Sequence, residues 1–375
     1  MDGSMENMAE TGGSGRGSEA GAWRLLDAAA NRAGEALRVL EDVARFVLDD
    51  AHLTSHAKAI RHDLAAVLAG LEFAGRSACR DTPGDVGTEL VVKAALPRRG
   101  AGDLVAANAA RAAQALRSLQ EVALMVAPAA AARFERLRYR LYTLERALAG
   151  TARAVARLAG VSLCVLVDGR PDAAAFERLV AGLLEAGVRM IQLRDKRLSL
   201  PELLDRGRRA VALAHRRAAG RVLVVINDRA DVAAAVHAAG VHVGAEDLPI
   251  ASARRVLGPG ALVGRTAHSL AEARAAVVDG ADYLGVGPCF PSPTKSFASF
   301  APTEFLSGVV REIALPSFAI GGVTLERLDG LLDLGIRRVA VASAITEAAD
   351  PAAAAAAFNE RLAQIPQAAP PAPHP

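Results

Sequence analysis

Eight short apolar runs, alternating with Ala-rich helical stretches from about residue 160 onward, restrict this chain more than any other feature of it. They read SLCVLVD, MIQLRDK, VLVVIND, GVHVG, LVGRTAH, YLGVGP, PSFAIGG and RVAVASAI. A run that is apolar at nearly every position has to be covered on both faces, which is the situation of a strand in a parallel sheet. Strands of that kind separated by helices make an α/β fold, and eight units in about 200 residues fit a closed (β/α)8 TIM barrel. The competing arrangement is an open doubly wound sheet. No GxGxxG follows the first run, so a dinucleotide crevice would lack its phosphate turn.

The 375 residues are long enough for two domains, and a hydrophobic content of 52% supplies sizeable cores. Residues 22–150 are helical in rhythm almost throughout. In WRLLDAAANRAGEALRVLEDVARFVLDD the residues Leu26, Ala30, Ala33, Leu37, Leu40, Ala44 and Val47 recur at three- and four-residue steps. RAGEALRVLEDVA is echoed by RAAQALRSLQEVA, with Arg32 matching Arg111. The echo reflects either two related helices packed together or a shared Ala/Leu helical composition. Between them CRDTPGDVGTEL interrupts the rhythm with Pro83, Gly84 and Gly87, as an ordered loop would. The expected organisation is therefore a disordered tail at 1–21, a mainly α-helical domain at 22–150, a barrel at 151–365 and a disordered tail at 366–375, both tails being too poor in buriable apolar surface to order.

Composition excludes several classes of function. A formal charge of +3, 4% aromatic residues and dispersed arginines form neither a basic stripe nor a stacking platform for nucleic acid. Cys79, Cys164 and Cys289 are far apart and make no CxxC pair, so neither a disulfide framework nor a zinc knuckle is expected and a reducing, cytoplasmic setting fits. Neither an apolar leader nor an uninterrupted apolar span is visible, so no secretion or membrane anchoring is expected. HExxH, a nucleophile elbow and GxxxxGK[ST] are absent, which removes zinc proteolysis, serine hydrolysis and P-loop chemistry from consideration.

The informative polar residues sit where the runs end, the face on which barrels bind ligands. The second run closes with Gln192, Arg194 and Lys196, which alternate and so point to one side of a strand. The third closes with Asn227 and Asp228, and Glu246 and Asp247 follow the fourth. The fifth closes with Arg265, Thr266 and His268. Gly321-Gly322 and Ala342-Ser343 follow the last two runs, where small residues at a helix start can expose backbone N–H groups to a phosphate. Arg194, Lys196 and Lys295 with Asn227 suit a highly charged anion. Asp228 and Asp247 would repel it unless a hard cation lay between, a combination that fits magnesium-bound pyrophosphate. His268 is open to three readings: a base, a substrate ligand or a satisfied strand-end histidine.

QLRDK, IND, GVHVGAED, GPCFPSPTK, AIGGV and AVASAI, in this order and spacing over roughly residues 160–350, resemble the thiamine-phosphate synthase family. The resemblance implies joining 4-amino-5-hydroxymethyl-2-methylpyrimidine diphosphate to thiazole phosphate, with magnesium, to give thiamine phosphate and pyrophosphate. It implies that Gln192, Arg194, Lys196, Asn227 and Lys295 contact the pyrimidine diphosphate and that Asp228 and Asp247 bind magnesium. Ser292 and Thr294, with Gly322, Ala342 and Ser343, would surround the thiazole phosphate. Arg194, Lys196, Lys295 and Thr266 are the implied catalytic groups, Thr266 standing where the family usually has Ser. Ala245 replaces a common Gln. The thiazole tautomerase branch of the same barrels is the alternative, but it tends to lack the diphosphate-handling residues.

Asn31, Glu35, Arg38, Asp42 and Arg45 form a polar stripe on the first helix, by default a solvated face of i,i+3 and i,i+4 pairs. Arg61-His62, Arg80-Asp81-Thr82 with Asp85, and Asn108 with Arg111 add to it. NRAGEALRVLEDVARF, RDTPGDVG and RYRLYTLE resemble the small hydroxymethylpyrimidine phosphate kinase-like domain fused ahead of some synthases. That resemblance implies ATP as a further ligand, with Arg80, Asp81 and Asp85 as candidates for phosphate and magnesium. The alternative is a non-catalytic module for oligomerisation or regulation. Oligomeric state, a homo-oligomer included, is not legible in the sequence.

Overall fold

The computed structural model describes residues 13–71, 97–218, 222–291 and 300–364. The chain divides into two compact units, residues 1–149 and 150–375. The first contains α1 (Gly13–Asp42), α2 (Ala51–Ala69), α3 (Ala101–Val126) and most of α4 (Pro128–Arg157). Helix α1 begins inside the stretch whose composition suggested a tail. Extending a helix already nucleated needs only one further residue to be fixed per hydrogen bond gained.

The echoed segments lie on α1 and α3, which pack along each other. Ala33, Leu37 and Leu40 of α1 and Ala109, Ala112 and Leu116 of α3 are wholly buried. Alanine at the contact lets the two helix axes approach closely, which a larger side chain would prevent. The regular α-helix stops at Asp42 and continues as a π turn, Val43–Val47. The extra residue in that turn shifts the helical phase of its neighbours toward α2. Val47, expected on the buried face, is consequently 57% exposed. The polar stripe is exposed or half-buried, as a solvated face is, with Arg38 reaching Asp42 one turn on; beside it, buried Glu41 accepts from Arg61 Nε at 2.7 Å and also faces Arg38. Asp50 then caps α2 by accepting from the Leu53 N–H.

The second unit is the barrel. Strands β1 (Leu163–Val167), β2 (Met190–Leu193), β3 (Leu223–Asn227), β4 (Gly240–Val243), β5 (Leu262–Ala267), β6 (Tyr283–Val286), β7 (Ser317–Ile320) and β8 (Val339–Val341) correspond to the eight apolar runs. They close in sequence order, every pairing parallel, with β8 returning to β1. Helices α5 (Ala173–Glu185), α6 (Leu200–Ala218), α7 (Ala230–Ala235), α8 (Ile250–Leu257), α9 (Leu270–Asp279), α10 (Thr303–Glu312), α11 (Leu325–Asp333), α12 (Ser343–Thr346) and α13 (Pro351–Ala363) alternate with or follow the strands. Side-chain caps from Asp172, Ser269 and Asp350 start α5, α9 and α13. No helix of the described residues is long and apolar enough to cross a membrane.

One core cluster fills the barrel toward the N-terminal ends of its strands: Leu158, Val161, Cys164, Met190, Val225, Leu262, Tyr283, Phe318 and Ala340. Nearby, the buried Asp282 carboxylate pairs with Arg153 and Arg254 and accepts from the Val263 N–H at 2.8 Å. Burial raises the Cys164 thiol to about 12, so it remains a neutral packing group. The apolar filling at this end leaves the opposite mouth as the place for charged side chains.

Candidate active site

At the C-terminal mouth Gln192, Asn227 and Thr266 lie within the strands, whereas Arg194, Lys196, Asp228, Asp247 and His268 lie beyond their ends. Strand β2 stops at Leu193, and only Gln192 of the expected alternating trio lies within it. The Arg194 N–H still donates to Val167 O at 2.8 Å, after which Asp195 turns the chain by accepting from the Arg197 N–H. Gln192 is therefore buried, Arg194 half-buried and Lys196 exposed. This corrects the expectation of one alternating strand face: the three side chains leave the rim at different depths.

Asn227 ends β3 in register with His242 of β4. The next residue, Asp228, has φ of 60°, a left-handed conformation that Asp tolerates better than most side chains. Its N–H donates to His242 O, and this bend turns its carboxyl toward Asp247. Asp247 is held by the Gly244 N–H, which donates to its Oδ2 at 2.7 Å. Lys196 Nζ stands 3.8 Å from Asp228 Oδ2. Burial, then the hydrogen bond and like charge of Asp247, raise the Asp228 carboxyl above its ordinary value, with Lys196 and Arg194 opposing. Two carboxylates held this close form an electrostatic conflict that a hard cation would relieve.

Thr266 lies on β5 with its hydroxyl 2.9 Å from His242 Nε2. Arg265 donates to the Gly244 carbonyl and so fixes the loop that carries Asp247. His268 lies just past the end of β5, where its Nδ1 is 2.6 Å from Gly287 O and therefore carries the proton. Gly321 and Gly322, after β7, have φ of 96° and 62°. A Cβ on Gly322 would come within 2.3 Å of Pro291 O, so both conformation and space require glycine there. Arg327 donates to Gly322 O and Pro291 O, tying the β7 loop to the start of the Pro-rich segment. Ala342 precedes α12, whose four residues make at most a weak dipole. Any anion there would rely on individual N–H groups. Ser292, Thr294 and Lys295 lie outside the described residues.

Sequence reading overlooked a layer beneath these residues. His242 and Tyr283 are buried inside the barrel, with His242 Nδ1 3.2 Å from the Tyr283 hydroxyl. Buried Gln192 lies close enough to oppose the rise in the Tyr283 pKa. Burial lowers the imidazole to about 4 and raises the phenol well above its ordinary value, so both are neutral near pH 7. Between them on β5 is Gly264, paired in register with both. A Cβ there would be 2.1 Å from the Tyr283 ring and 2.5 Å from His242 Nδ1. An inward polar residue in GVHVG and a glycine inside a strand were the available signals.

In the helical unit Asn108 is buried, its Nδ2 donating to Leu104 O, and Arg111 reaches its Oδ1. His62 is exposed. A cleft of about 360 Å³ is lined by Ser55, His56, Ala59, Ile60, Arg140 and Thr143. Burial, and then Arg140, lower the pKa of His56. Arg80, Asp81, Thr82 and Asp85 lie outside the described residues.

A closed parallel barrel with cations, paired carboxylates and small-residue loops at one mouth defines the class of TIM-barrel enzymes that handle phosphorylated small molecules. The profile described as thiamine monophosphate synthase matches residues 163–345, and that of the ThiD2 family matches residues 24–147. A thiamine-phosphate synthase of Rhodopirellula baltica is 41% identical over 331 residues, covering 86% of this chain and 88% of the relative. One from Gloeobacter violaceus is 39% identical over 340 residues, covering 90% and 96%. The solved thiamine phosphate pyrophosphorylase from Pyrococcus furiosus is 32% identical, covering 55% of this chain and 96% of its own, with a TM-score of 0.49. The chain belongs to the thiamine-phosphate synthase family, with a kinase-like domain fused ahead of the barrel.

Proposed function

We propose that the barrel mouth condenses 4-amino-5-hydroxymethyl-2-methylpyrimidine diphosphate with thiazole phosphate. The observation that carries this reading is the Asp228–Asp247 pair, held beside Lys196 and Arg194 at the end of β3 and β4. Magnesium characteristically takes one or two carboxylates and completes its shell with water and phosphate oxygens. Among the described residues no group of three or more His, Cys, Asp or Glu forms a cage of its own, so the donor set fits a metal that arrives with a diphosphate. Bound there by Asp228 and Asp247, it would supply charge neutralisation to the leaving pyrophosphate.

The remaining chemistry falls to the chain's own groups. The bond from the pyrimidine methylene carbon to the diphosphate oxygen breaks, and its electron pair leaves with pyrophosphate. Arg194, Lys196 and Lys295 balance the growing negative charge, and the Thr266 hydroxyl donates to it. Gln192 and Asn227 hold the pyrimidine ring so that its methylene faces the thiazole nitrogen, whose lone pair forms the new C–N bond. Ser292, Thr294, Gly322, Ala342 and Ser343 hold the thiazole phosphate. No protein nucleophile takes part.

For the helical unit, the ThiD2 match over residues 24–147 supports phosphorylation of the pyrimidine monophosphate by ATP, with Arg80, Asp81 and Asp85 as candidate residues. The purified chain, given magnesium and thiazole phosphate, should form thiamine phosphate from either the pyrimidine diphosphate or the monophosphate plus ATP. Asp81→Ala should abolish only the second reaction. Product from the diphosphate alone would make residues 22–150 a non-kinase module, and product from neither would sink the synthase reading.

A further inference from the structure

The echo between RAGEALRVLEDVA and RAAQALRSLQEVA extends well past these two segments. The shift that sets Arg32 on Arg111 also sets the buried Leu26, Ala30, Leu37 and Leu40 of α1 on the buried Val105, Ala109, Leu116 and Leu119 of α3. A shift two residues shorter sets the buried Leu53, Ala57, Ile60 and Leu64 of α2 on the buried Ala130, Phe134, Leu137 and Leu141 of α4. The difference lies in the connections: Leu48, Asp49 and Asp50 join the π turn to α2, whereas Ala127 alone joins α3 to α4. A shared Ala/Leu composition would repeat the helical period but not the partners of individual polar side chains, and these repeat as well. By the same shifts Arg61 falls on Arg138 and Glu41 on Gln120. Arg61 donates to Glu41 at 2.7 Å, and Arg138 donates to Gln120 Oε1 at 3.4 Å. Arg38 stands 3.7 Å from Glu41, and in the matching place Arg117 donates to Gln120 Oε1 at 3.4 Å. Arg38 also pairs with Asp42, as Arg117 does with Glu121.

The pairs α1–α2 and α3–α4 are thus two copies of one hairpin that differ at the centre of this polar group. In the first copy the Glu41 carboxylate faces both arginines. In the second an amide oxygen stands there, and two guanidinium groups share one neutral acceptor at the long end of hydrogen-bond distance. Arg138 is the more enclosed of the two, its side chain 16% exposed, and its Nε is buried with no hydrogen-bond partner among the described residues. It also reaches the Tyr142 hydroxyl at 3.3 Å and stands 3.8 Å from the Glu135 carboxylate. Glu135 and Glu121 are open to solvent, which screens their charge. The exposed rings of Tyr139 and Tyr142 flank the guanidinium, their centres 5.3 and 5.9 Å from its carbon. An enclosed cation without an equal counter-charge is costly until an anion reaches it. We propose that Arg138 and Arg117 hold the phosphate of a phosphorylated aromatic ligand in the place that Glu41 fills in the first hairpin, with the ring of that ligand against Tyr139 or Tyr142. This site deepens the kinase reading of the helical unit and rests on it for its occupant, since ATP and the pyrimidine monophosphate are both rings bearing phosphate.

Calorimetric titration of the full-length chain with ATP and, separately, with the pyrimidine monophosphate tests this in the wild type, Gln120→Glu and Arg138→Ala. Any affinity of the barrel for these ligands is common to the three proteins and cancels in the comparison. Gln120→Glu gives the second hairpin the counter-ion of the first. It should weaken at least one of the two ligands by about 10- to 100-fold, the scale of a lost hydrogen bond to a charged group, while raising the melting temperature. A stabilised protein that has lost its ligand separates this result from simple unfolding. Arg138→Ala should weaken the same ligand. Loss of ATP alone assigns the site to the triphosphate, and loss of the monophosphate alone assigns it to the pyrimidine. Gln120→Glu binding both ligands as tightly as the wild type, or a wild type that binds neither, would overturn the site. A wild type whose binding depends on Gln120 and Arg138 but which makes no diphosphate from the monophosphate and ATP would uphold the site and overturn the kinase reading alone.

Discussion

Acidification should weaken the barrel through one residue. His242 is enclosed by β4, β5 and β6, with Tyr283 and Thr266 on its two nitrogens, Arg265 and Arg194 disfavouring a further positive charge and Asp247 favouring it. Burial is the largest effect, and the imidazole falls from 6.5 to about 4. At about 1.4 kcal/mol per pH unit, that difference is worth about 3 kcal/mol. The sign is set by proton uptake: between these two values the unfolded chain binds the proton and the folded chain does not. Stability is therefore complete above pH 6.5 and drains away as pH falls toward 4. Urea unfolding of a Cys79→Ser, Cys289→Ser background, read by exposure of the buried Cys164 thiol to a pyridyl disulfide that reacts in acid, follows the barrel by itself. Between pH 7 and 4.5 the wild type should lose about 2–3 kcal/mol more than His242→Gln. Equal losses in the two proteins would refute the argument, because the shared carboxylates titrate in both.

Asp228→Asn should lower turnover at least about 100-fold if it removes the proposed magnesium ligand, and should raise the melting temperature of the metal-free chain by about 2–4 °C by removing a carboxylate in conflict with Asp247. Calorimetric scans with and without magnesium check both, and a lower melting temperature would contradict the conflict. Gly264→Ala places a methyl against Tyr283 and His242 and should cost about 1–3 kcal/mol in urea unfolding, with activity lost in step. Asp282→Ala leaves the Arg254 and Arg153 guanidinium groups and the Val263 N–H without their shared acceptor, and should cost about 3–5 kcal/mol. A loss below about 1 kcal/mol would show that solvent replaces that carboxylate easily.

The barrel was legible because its signal is repetitive and local: eight apolar runs, each ended by polar residues, became β1 to β8 in order. Strand ends were less so. Arg194 and Lys196 continue the alternation of QLRDK in sequence, yet the hydrogen-bonded strand stops at Leu193 because Asp195 bends the chain back. The π turn after Asp42 has no composition of its own and appears only once α1, α2 and α3 are packed. The His242 layer was hidden for a different reason. His242, Gly264 and Tyr283 are far apart in sequence and meet only through the register of three neighbouring strands. Arg327 likewise becomes a link between the β6 and β7 loops only when both carbonyls are in place.

The most direct test is the initial rate of thiamine phosphate formation from the pyrimidine diphosphate and thiazole phosphate, titrated with magnesium, in the wild type and in Arg194→Ala and Asp247→Asn. The account predicts product that depends on both substrates and on magnesium, with each variant reduced at least about 100-fold, the scale of losing a group that stabilises transition-state charge. A wild type without product, or variants as fast as the wild type, would contradict it.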